Sequence, residues 1–225
     1  MTDKKKYPRI AIDGPAGAGK STVAREVAKR LNIKYLDTGA MYRAVTLKVI
    51  RESLDLNNSE ALEELLDRTS IDLDEEKRVY LDGKDVTEEI RRSHVNELVS
   101  PVSCISLVRR RLVTMQQAIA EESKGIVMEG RDIASRVMPD ADFKIYLDAS
   151  LEERTRRRSK EQLEKGISLT KEEVASEIMN RDTIDSQRED SPLTIVGDAL
   201  VIDTTGMTFE TVVNKVVEVI SQELH

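Results

Sequence analysis

The stretch that most constrains the fold is the glycine-rich segment DGPAGAGKS at residues 13–21. It follows RIAID (9–13), a short β-branched run that predicts a buried strand, and it leads into STVAREVAKRL (21–31), whose apolar residues share one helical stripe. The segment satisfies the pattern G-x-x-x-x-G-K-[ST] in this strand–loop–helix context. Such a loop turns backbone N–H groups towards phosphate oxygens, and side chains at the glycine positions would obstruct that approach. We therefore expect a nucleoside triphosphate to bind here, and we disfavour an ordinary glycine-rich turn.

The predicted donor site covers the loop and the start of the following helix. The helix N-terminus adds the positive end of its dipole. Lys20 is expected to reach the β- and γ-phosphates in a catalytic role, and Ser21 is expected to bind Mg²⁺. The residues assigned to ATP in this segment are Gly14, Pro15, Ala16, Gly17, Ala18, Gly19, Lys20, Ser21 and Thr22.

The rest of the chain alternates between strand and helix patterns. Further strands are predicted at 34–38, 125–130, 143–150 and 199–205, and helices at 41–52, 60–67, 106–122, 151–164, 171–188 and 208–222. Buried strands interleaved with helices predict an α/β fold with a five-stranded parallel sheet covered on both faces. Ligands bind such sheets at the carboxyl ends of the strands. Residues 68–102 break the pattern with a hairpin (71–83) and a helix (88–103) interrupted by Pro101, which indicates an insert in a single domain.

Composition narrows the functional classes. The 225 residues suit one core with a small insert, and 39% hydrophobic with 34% charged residues is typical of a globular protein. Apolar runs of about five residues are far shorter than the ~20 that span a bilayer, and the single cysteine, Cys104, fits a reducing cytoplasm. A net charge of −7 with 3% aromatic residues argues against a nucleic-acid partner. We expect a cytoplasmic protein whose local arginine clusters bind a small polyanion.

Candidates for a second anion site follow the other strands or share one helix face. They are Tyr42 and Arg43 in LDTGAMYR (36–43), Arg131 and Asp132 in EGRD (129–132), and Arg181, Asp185 and Arg188. The last three are spaced i, i+4 and i+7, which puts them on one face of a helix. An acceptor that receives a phosphoryl group could therefore bind near these strand ends.

The segments DGPAGAGKS, LDTGAMYR, EGRD, KIYLDAS, RD…D…R and SPL, in this order, resemble the bacterial cytidylate kinase family over nearly the whole chain. The phosphate loop is shared by many other proteins, whereas LDTGAMYR and GRD are much more specific. The resemblance implies a P-loop nucleoside monophosphate kinase fold with a CMP-binding insert at about 68–102 and a mobile lid at about 151–170. It also implies a monomer that catalyses ATP + (d)CMP ⇌ ADP + (d)CDP with Mg²⁺.

The resemblance also implies roles for individual residues. Arg43, Arg131 and Arg188 would hold the CMP phosphate, and Arg181 and Asp185 would lie near the ribose. Ser100, Arg109 and Asp132 would face cytosine, and Thr38 and Tyr42 would complete the substrate site. Arg154, Arg157 and Arg158 would belong to the lid that closes on ATP, with Arg154 as an ATP-binding residue. Of these, Arg131, Arg188, Arg157 and Arg158 join Lys20 as expected catalytic groups. The chain departs from the family pattern at Glu129, where Asp is frequent, and at Ala134 and Ser135, where Gly and Thr are usual.

Simpler readings stay open for several residues. Arg109 could lie on a solvated helix face, and the arginines at 154–158 could merely pair with Glu152 and Glu153 on the surface. The pair Arg181 and Asp185 could be exposed and worth only ~0.3–0.5 kcal/mol. For the whole chain, the alternatives are a P-loop kinase acting on a different small molecule, such as another nucleotide or a shikimate-like acid, and a nucleotide-binding switch without an acceptor.

Overall fold

A computed structural model describes residues 7–74, 76, 78–164 and 166–223. The elements are β1 (Arg9–Asp13), α1 (Lys20–Leu31), β2 (Lys34–Asp37), α2 (Thr38–Arg51), α3 (Ser59–Asp67), β3 (Ile71–Leu73), β4 (Val79–Leu81), β5 (Lys84–Asp85), α4 (Ser93–Cys104), α5 (Ser106–Glu122), β6 (Ile126–Gly130), β7 (Phe143–Asp148), α6 (Leu151–Glu164), α7 (Lys171–Gln187), β8 (Leu200–Asp203) and α8 (Phe209–Glu223). Positions 75 and 77 of the predicted hairpin turn and position 165 of the predicted lid lie outside the described residues.

The central sheet has five parallel strands in the order β2–β6–β1–β7–β8, which confirms the predicted fold class. β1 lies in the middle, and its Ile10, Ala11 and Ile12 are fully buried because both faces are covered. The register pairs Asp13 of β1 with Gly130 of β6 and Asp37 of β2 with Glu129. The carboxyl ends of β1, β2 and β6 therefore meet at one edge, next to the glycine loop.

Two apolar layers cover this sheet. On one face, α1 and α8 pack together, and residues such as Val27, Val127 and Val216 form a core with β1, β7 and β8. On the other face, α2, α4 and α5 pack around Met41, Met128 and other buried residues. No helix within the described ranges is both long and apolar enough to cross a membrane.

The insert differs from its prediction in two respects. The hairpin gains a third short strand, β5, which pairs antiparallel with β4. The predicted interruption at Pro101 is wrong, because α4 continues through this residue to Cys104. Proline removes one backbone donor, but Val95, Val99 and Val102 are buried on the same helix, and their packing offsets that loss.

Side-chain caps set two local boundaries near the sheet edge. α2 begins at Thr38, before the predicted 41, because the Asp37 carboxylate accepts a hydrogen bond from Ala40 N at 2.9 Å. After β6, residues 133–137 form a π-helical turn. The Asp13 carboxylate accepts hydrogen bonds from Ile133 N (3.0 Å) and Ala134 N (2.8 Å), so the loop that departs from the family pattern is tied to the start of the phosphate loop.

Candidate active site

The phosphate loop needs glycine at the positions where the sequence places it. Gly14 has φ +149°, and a Cβ there would lie 2.0 Å from the Leu147 carbonyl oxygen, so any side chain would collide with β7. Gly19, directly before α1, has φ +88°, in the region that favours glycine. The backbone therefore turns sharply just before α1, at the helix N-terminus where anions bind favourably.

Lys20 lies buried at the base of this loop. Its Nζ donates a hydrogen bond to the Pro15 carbonyl oxygen at 2.7 Å. Burial and the nearby Arg131 guanidinium together lower the pKa of Lys20 to about 7, and the Glu129 carboxylate opposes this shift. A cation whose charge is disfavoured in the free protein gains strongly from an incoming polyphosphate.

Glu129 is the last residue but one of β6 and is buried. Its Oε1 accepts a hydrogen bond from the Tyr35 hydroxyl at 3.0 Å, and its backbone carbonyl accepts one from Thr38 Oγ1 at 2.7 Å. Burial and the Asp37 carboxylate raise the pKa of Glu129, while Lys20 and a Ser21 hydrogen bond lower it. The longer glutamate is thus held by Tyr35 within the same charge environment as Lys20 and Ser21.

A continuous chain of arginine and aspartate side chains lies next to these groups. Arg131 Nε donates to Asp185 Oδ2 at 2.7 Å, and Arg188 Nη1 lies 3.6 Å from Asp185 Oδ1. Arg188 Nη2 lies 3.6 Å from Asp132 Oδ1, and Asp132 Oδ2 accepts a hydrogen bond from Arg109. Asp185 is buried, so the exposed surface pair considered from the sequence is wrong. The geometry places five predicted substrate residues on one path of hydrogen bonds and ion pairs.

Arg109 is not on a solvated face, because only 1% of it is exposed. It donates to the Ser103 carbonyl oxygen at 3.1 Å, and its guanidinium lies 5.4 Å from the centre of the Tyr42 ring. Among the described residues, Tyr42 Oη, Arg109 Nε and Arg188 Nη2 are buried without a hydrogen-bond partner. Buried polar atoms are normally paired, so these three mark a place where a polar ligand would complete the site.

Two further arginines have pKa values below the usual range of a guanidinium group. Burial lowers the pKa of Arg43, and burial together with Arg131 and Arg43 lowers the pKa of Arg181 to about 9. Arg181 Nε reaches only 3.9 Å from Asp185. Ser100 lies half-buried on α4, and its carbonyl oxygen accepts a hydrogen bond from Ser103 Oγ at 2.8 Å. Arg43 and Arg181 were both predicted for a second anion site, and each has Arg131 among the charges that lower its pKa.

The three arginines predicted for the lid differ in their contacts. Arg157 donates to Thr204 O at 2.8 Å and to Ala18 O of the phosphate loop at 3.3 Å, as well as to Glu153 at 2.8 Å. Arg154 contacts Ala16 of the same loop, at 3.1 Å from its carbonyl oxygen. Arg158 instead pairs with Glu161 at 2.9 Å. Pairing with Glu153, the alternative considered from the sequence, thus holds for Arg156 and for one contact of Arg157. It fails for Arg154, which pairs with Asp182.

Sequence reasoning missed two buried or half-buried carboxylates. Asp182, on α7, accepts a hydrogen bond from Ala16 N at 3.0 Å. Its position directly after Arg181 and three residues before Asp185 was the available signal. Asp13 carries no chemistry in the phosphate-loop pattern, and no spacing in the sequence indicated its bonds to Ile133 and Ala134.

The comparisons with known proteins agree on one family. A family model described as cytidylate kinase matches residues 10–222. The cytidylate kinase of Caldanaerobacter subterraneus subsp. tengcongensis is 55% identical over 94% of this chain and 94% of that protein. The cytidylate kinase of Bacillus subtilis is 46% identical over 95% of this chain and 96% of that protein.

Solved structures with low identity share the fold. An uncharacterized protein from Eubacterium ventriosum has a TM-score of 0.55 at 15% identity, covering 97% of this chain and 99% of that chain. The shikimate kinase from Bacteroides thetaiotaomicron has a TM-score of 0.51 at 15% identity, covering 95% and 98% respectively. At this identity the likeness concerns the fold alone.

Proposed function

The chain belongs to the cytidylate kinase family, and we propose how the geometry above performs that family's reaction, the transfer of the γ-phosphoryl group of ATP to CMP or dCMP. The protein is an ATP-dependent nucleoside monophosphate kinase. The observation that supports the proposed mechanism best is the convergence of Lys20, Arg43, Arg131 and Arg181 at the edge where β1, β2 and β6 end. Burial and the charge of Arg131 lower the pKa values of the other three groups.

The donor triphosphate binds the loop from Gly14 to Thr22. Backbone N–H groups and the N-terminus of α1 receive its phosphate oxygens, and Lys20 exchanges its bond to Pro15 O for the β- and γ-phosphates. Arg154, Arg157 and Arg158 close the lid over the donor and exclude water, which would otherwise accept the γ-phosphoryl group. Arg157, with its bond to Ala18 O, already contacts the loop on which the donor lies.

The residues beside the loop fit a magnesium ion. Mg²⁺ prefers hard oxygen ligands and takes few of them from protein when phosphates supply the others. Ser21 offers its hydroxyl, and the buried Glu129 carboxylate shares its charge environment. Ser21 would bind the ion directly, and Glu129, held by Tyr35, would orient the groups around it. When bound, the ion neutralises charge that develops on the β- and γ-phosphate oxygens.

The acceptor binds across the arginine–aspartate chain. Arg43, Arg131 and Arg188 grip the monophosphate, Asp185 accepts from a ribose hydroxyl with Arg181 alongside, and Thr38 and Tyr42 line the site. Asp132 and Ser100 accept from the cytosine amine, while Arg109 donates to the ring nitrogen or carbonyl oxygen. The buried unpaired atoms Tyr42 Oη, Arg109 Nε and Arg188 Nη2 support a polar ligand at this place.

The reaction needs no strong base, because the acceptor phosphate oxygen is already ionised near neutral pH. The obstacle is repulsion between two anions that must approach in line, so the task of the protein is positioning and charge neutralisation. That task explains why arginines outnumber any candidate acid or base. The insert at about 68–102 would contribute to the acceptor site, and residues 151–170 would form the lid. The protein would act as a monomer in the cytoplasm.

A substrate panel tests the function. Purified protein is incubated with ATP and Mg²⁺ and with CMP, dCMP, UMP, AMP or GMP, and ADP release is followed. We expect CMP and dCMP to be phosphorylated and UMP to be strongly disfavoured, since uracil reverses the donor and acceptor pattern of cytosine. ADP release that does not depend on CMP would contradict the function and favour a nucleotide-binding switch.

The acceptor clamp has its own test. Asp185→Ala should lower kcat/KM for CMP by a factor that corresponds to roughly 1.5–3 kcal/mol of lost transition-state stabilisation. The loss should be smaller for a nucleotide whose sugar lacks the contacted hydroxyl. Arg188→Ala should weaken every monophosphate alike, because it grips phosphate. ATP affinity should barely change in either variant, and Glu172→Gln, at an exposed position on the same helix, serves as the control. Normal CMP kinetics in both variants would end this assignment.

A further inference from the structure

Asp182 joins α7 to the phosphate loop and to the lid helix at the same time. Its Oδ1 accepts a hydrogen bond from Ala16 N at 3.0 Å, and its Oδ2 forms an ion pair with Arg154 of α6. Arg154 Nη1 in turn donates to Ala16 O at 3.1 Å. Both backbone polar groups of Ala16 are therefore engaged, which closes a ring of three residues from three different elements.

Arg154 is fixed within this ring. Its Nε donates to Ala149 O at 3.0 Å, and its side chain is only 11% exposed. A Cβ at Gly17 would lie 3.1 Å from Arg154 Cβ, so the start of α6 packs closely on the loop. Nε and Nη1 are thus used for structure, and the Nη2 hydrogens remain for a ligand bound on the loop.

The identity of Asp182 matters for electrostatic reasons. A carboxylate at the rim of a loop that binds polyphosphate repels its ligand unless a cation compensates for it, and here Arg154 does so. A carboxylate can accept from the Ala16 amide and from the guanidinium together. An asparagine offers one acceptor and one donor, so it can keep one of these bonds and must present N–H to the other partner.

We propose that Asp182 is a positioning residue for the phosphoryl donor, acting through Arg154: it holds the guanidinium against the phosphate loop in the orientation that receives ATP. The proposal rests on the assignment of the loop and Arg154 to the donor. Asp182 itself does not touch the reacting atoms. Loss of the Asp182 carboxylate should impair the use of ATP and leave the binding of CMP unchanged.

Steady-state kinetics of Asp182→Asn test this role. We expect kcat/KM for ATP to fall at least about tenfold, the size of one lost charge-assisted hydrogen bond, with KM for CMP within about twofold of the parent. Glu172→Gln removes one carboxylate from the exposed part of α7 and should leave both parameters unchanged. An unchanged kcat/KM for ATP, or equal losses for ATP and CMP, would overturn the proposal.

A double-mutant cycle separates positioning from general stability. If Asp182 acts through Arg154, then Asp182→Asn added to Arg154→Gln should cause no further loss of ATP efficiency. If the loss of ATP efficiency in the double variant equals the product of the two single losses, the residues act independently and the proposed role is refuted. Calorimetric binding of ADP by the parent and by Asp182→Asn completes the design. If the parent binds ADP but does not phosphorylate CMP, the proposed function fails, and the ADP affinities still decide the role of Asp182.

Discussion

Replacing Asp132 with Asn tests the buried end of the arginine–aspartate chain. The Asp132 side chain is 6% exposed, and its partners Arg109 and Arg188 are 1% and 3% exposed. Removing one member of a buried ion pair leaves a charge without compensation and costs about 3–5 kcal/mol. Because Asn keeps one acceptor oxygen, we expect the free energy of unfolding to fall by an amount near the lower end of this range, about 3 kcal/mol. The free energy of unfolding of a typical domain is roughly 5–15 kcal/mol.

Urea denaturation measures this loss directly. The midpoint should fall by roughly 1 M or more without a change in slope, since the surface exposed on unfolding stays the same. Asp140→Asn is the matched control, because it breaks a 2.7 Å ion pair between Asp140 and Arg9. The Asp140 side chain in this pair is 69% exposed. Exposed pairs contribute about 0–1 kcal/mol. Equal midpoint shifts in the two variants would refute the argument from burial.

The same variant tests base recognition. An Asn amide can donate to the uracil carbonyl, whereas a carboxylate can only accept. The ratio of kcat/KM for CMP to that for UMP should therefore narrow in Asp132→Asn. A ratio equal to that of the parent would place base recognition on other residues.

Three further predictions concern the donor side and the loop beneath it. Lys20→Ala should keep the fold and lose about 10²–10³ in kcat; turnover within about threefold of the parent would remove Lys20 from the mechanism. Neutralising Arg157 and Arg158 together should raise the ratio of ATP hydrolysis to CDP formation. Arg156→Gln is the control, because the Arg156 side chain is 65% exposed. An unchanged ratio with normal turnover would show that Arg157 and Arg158 only form a solvated face. The pKa of Asp13 is raised by burial to about 6, so the folded chain retains a proton that the unfolded chain releases. Its contribution to the free energy of unfolding should therefore fall as pH rises from about 4 to about 6, and this dependence should be absent from Asp13→Asn when both proteins are unfolded in urea across that range.

Local patterns were sufficient for the elements and for the donor loop. The buried runs at β1 and β6, the helical stripe of α1 and the glycine spacing act over a few residues, so the sequence alone indicated a five-stranded parallel sheet with a phosphate site at its edge. The prediction of a helix break at Pro101 was wrong because it considered only local effects. The lost hydrogen bond is local, but the packing that keeps α4 continuous comes from helices distant in sequence.

Tertiary structure decided which charged residues work together. Nothing in a run of three arginines distinguishes Arg109 from its neighbours, yet the fold buries it between Asp132 and the Tyr42 ring. Asp182 meets Ala16 across 166 positions of the chain, and Asp13 meets Ala134 across 121. Spacing in a sequence determines periodicity and loop geometry, because these depend on neighbouring residues. The strand order and the helix packing bring distant side chains within hydrogen-bonding distance. Only this packing gives Asp13 and Asp182 their partners next to the phosphate loop.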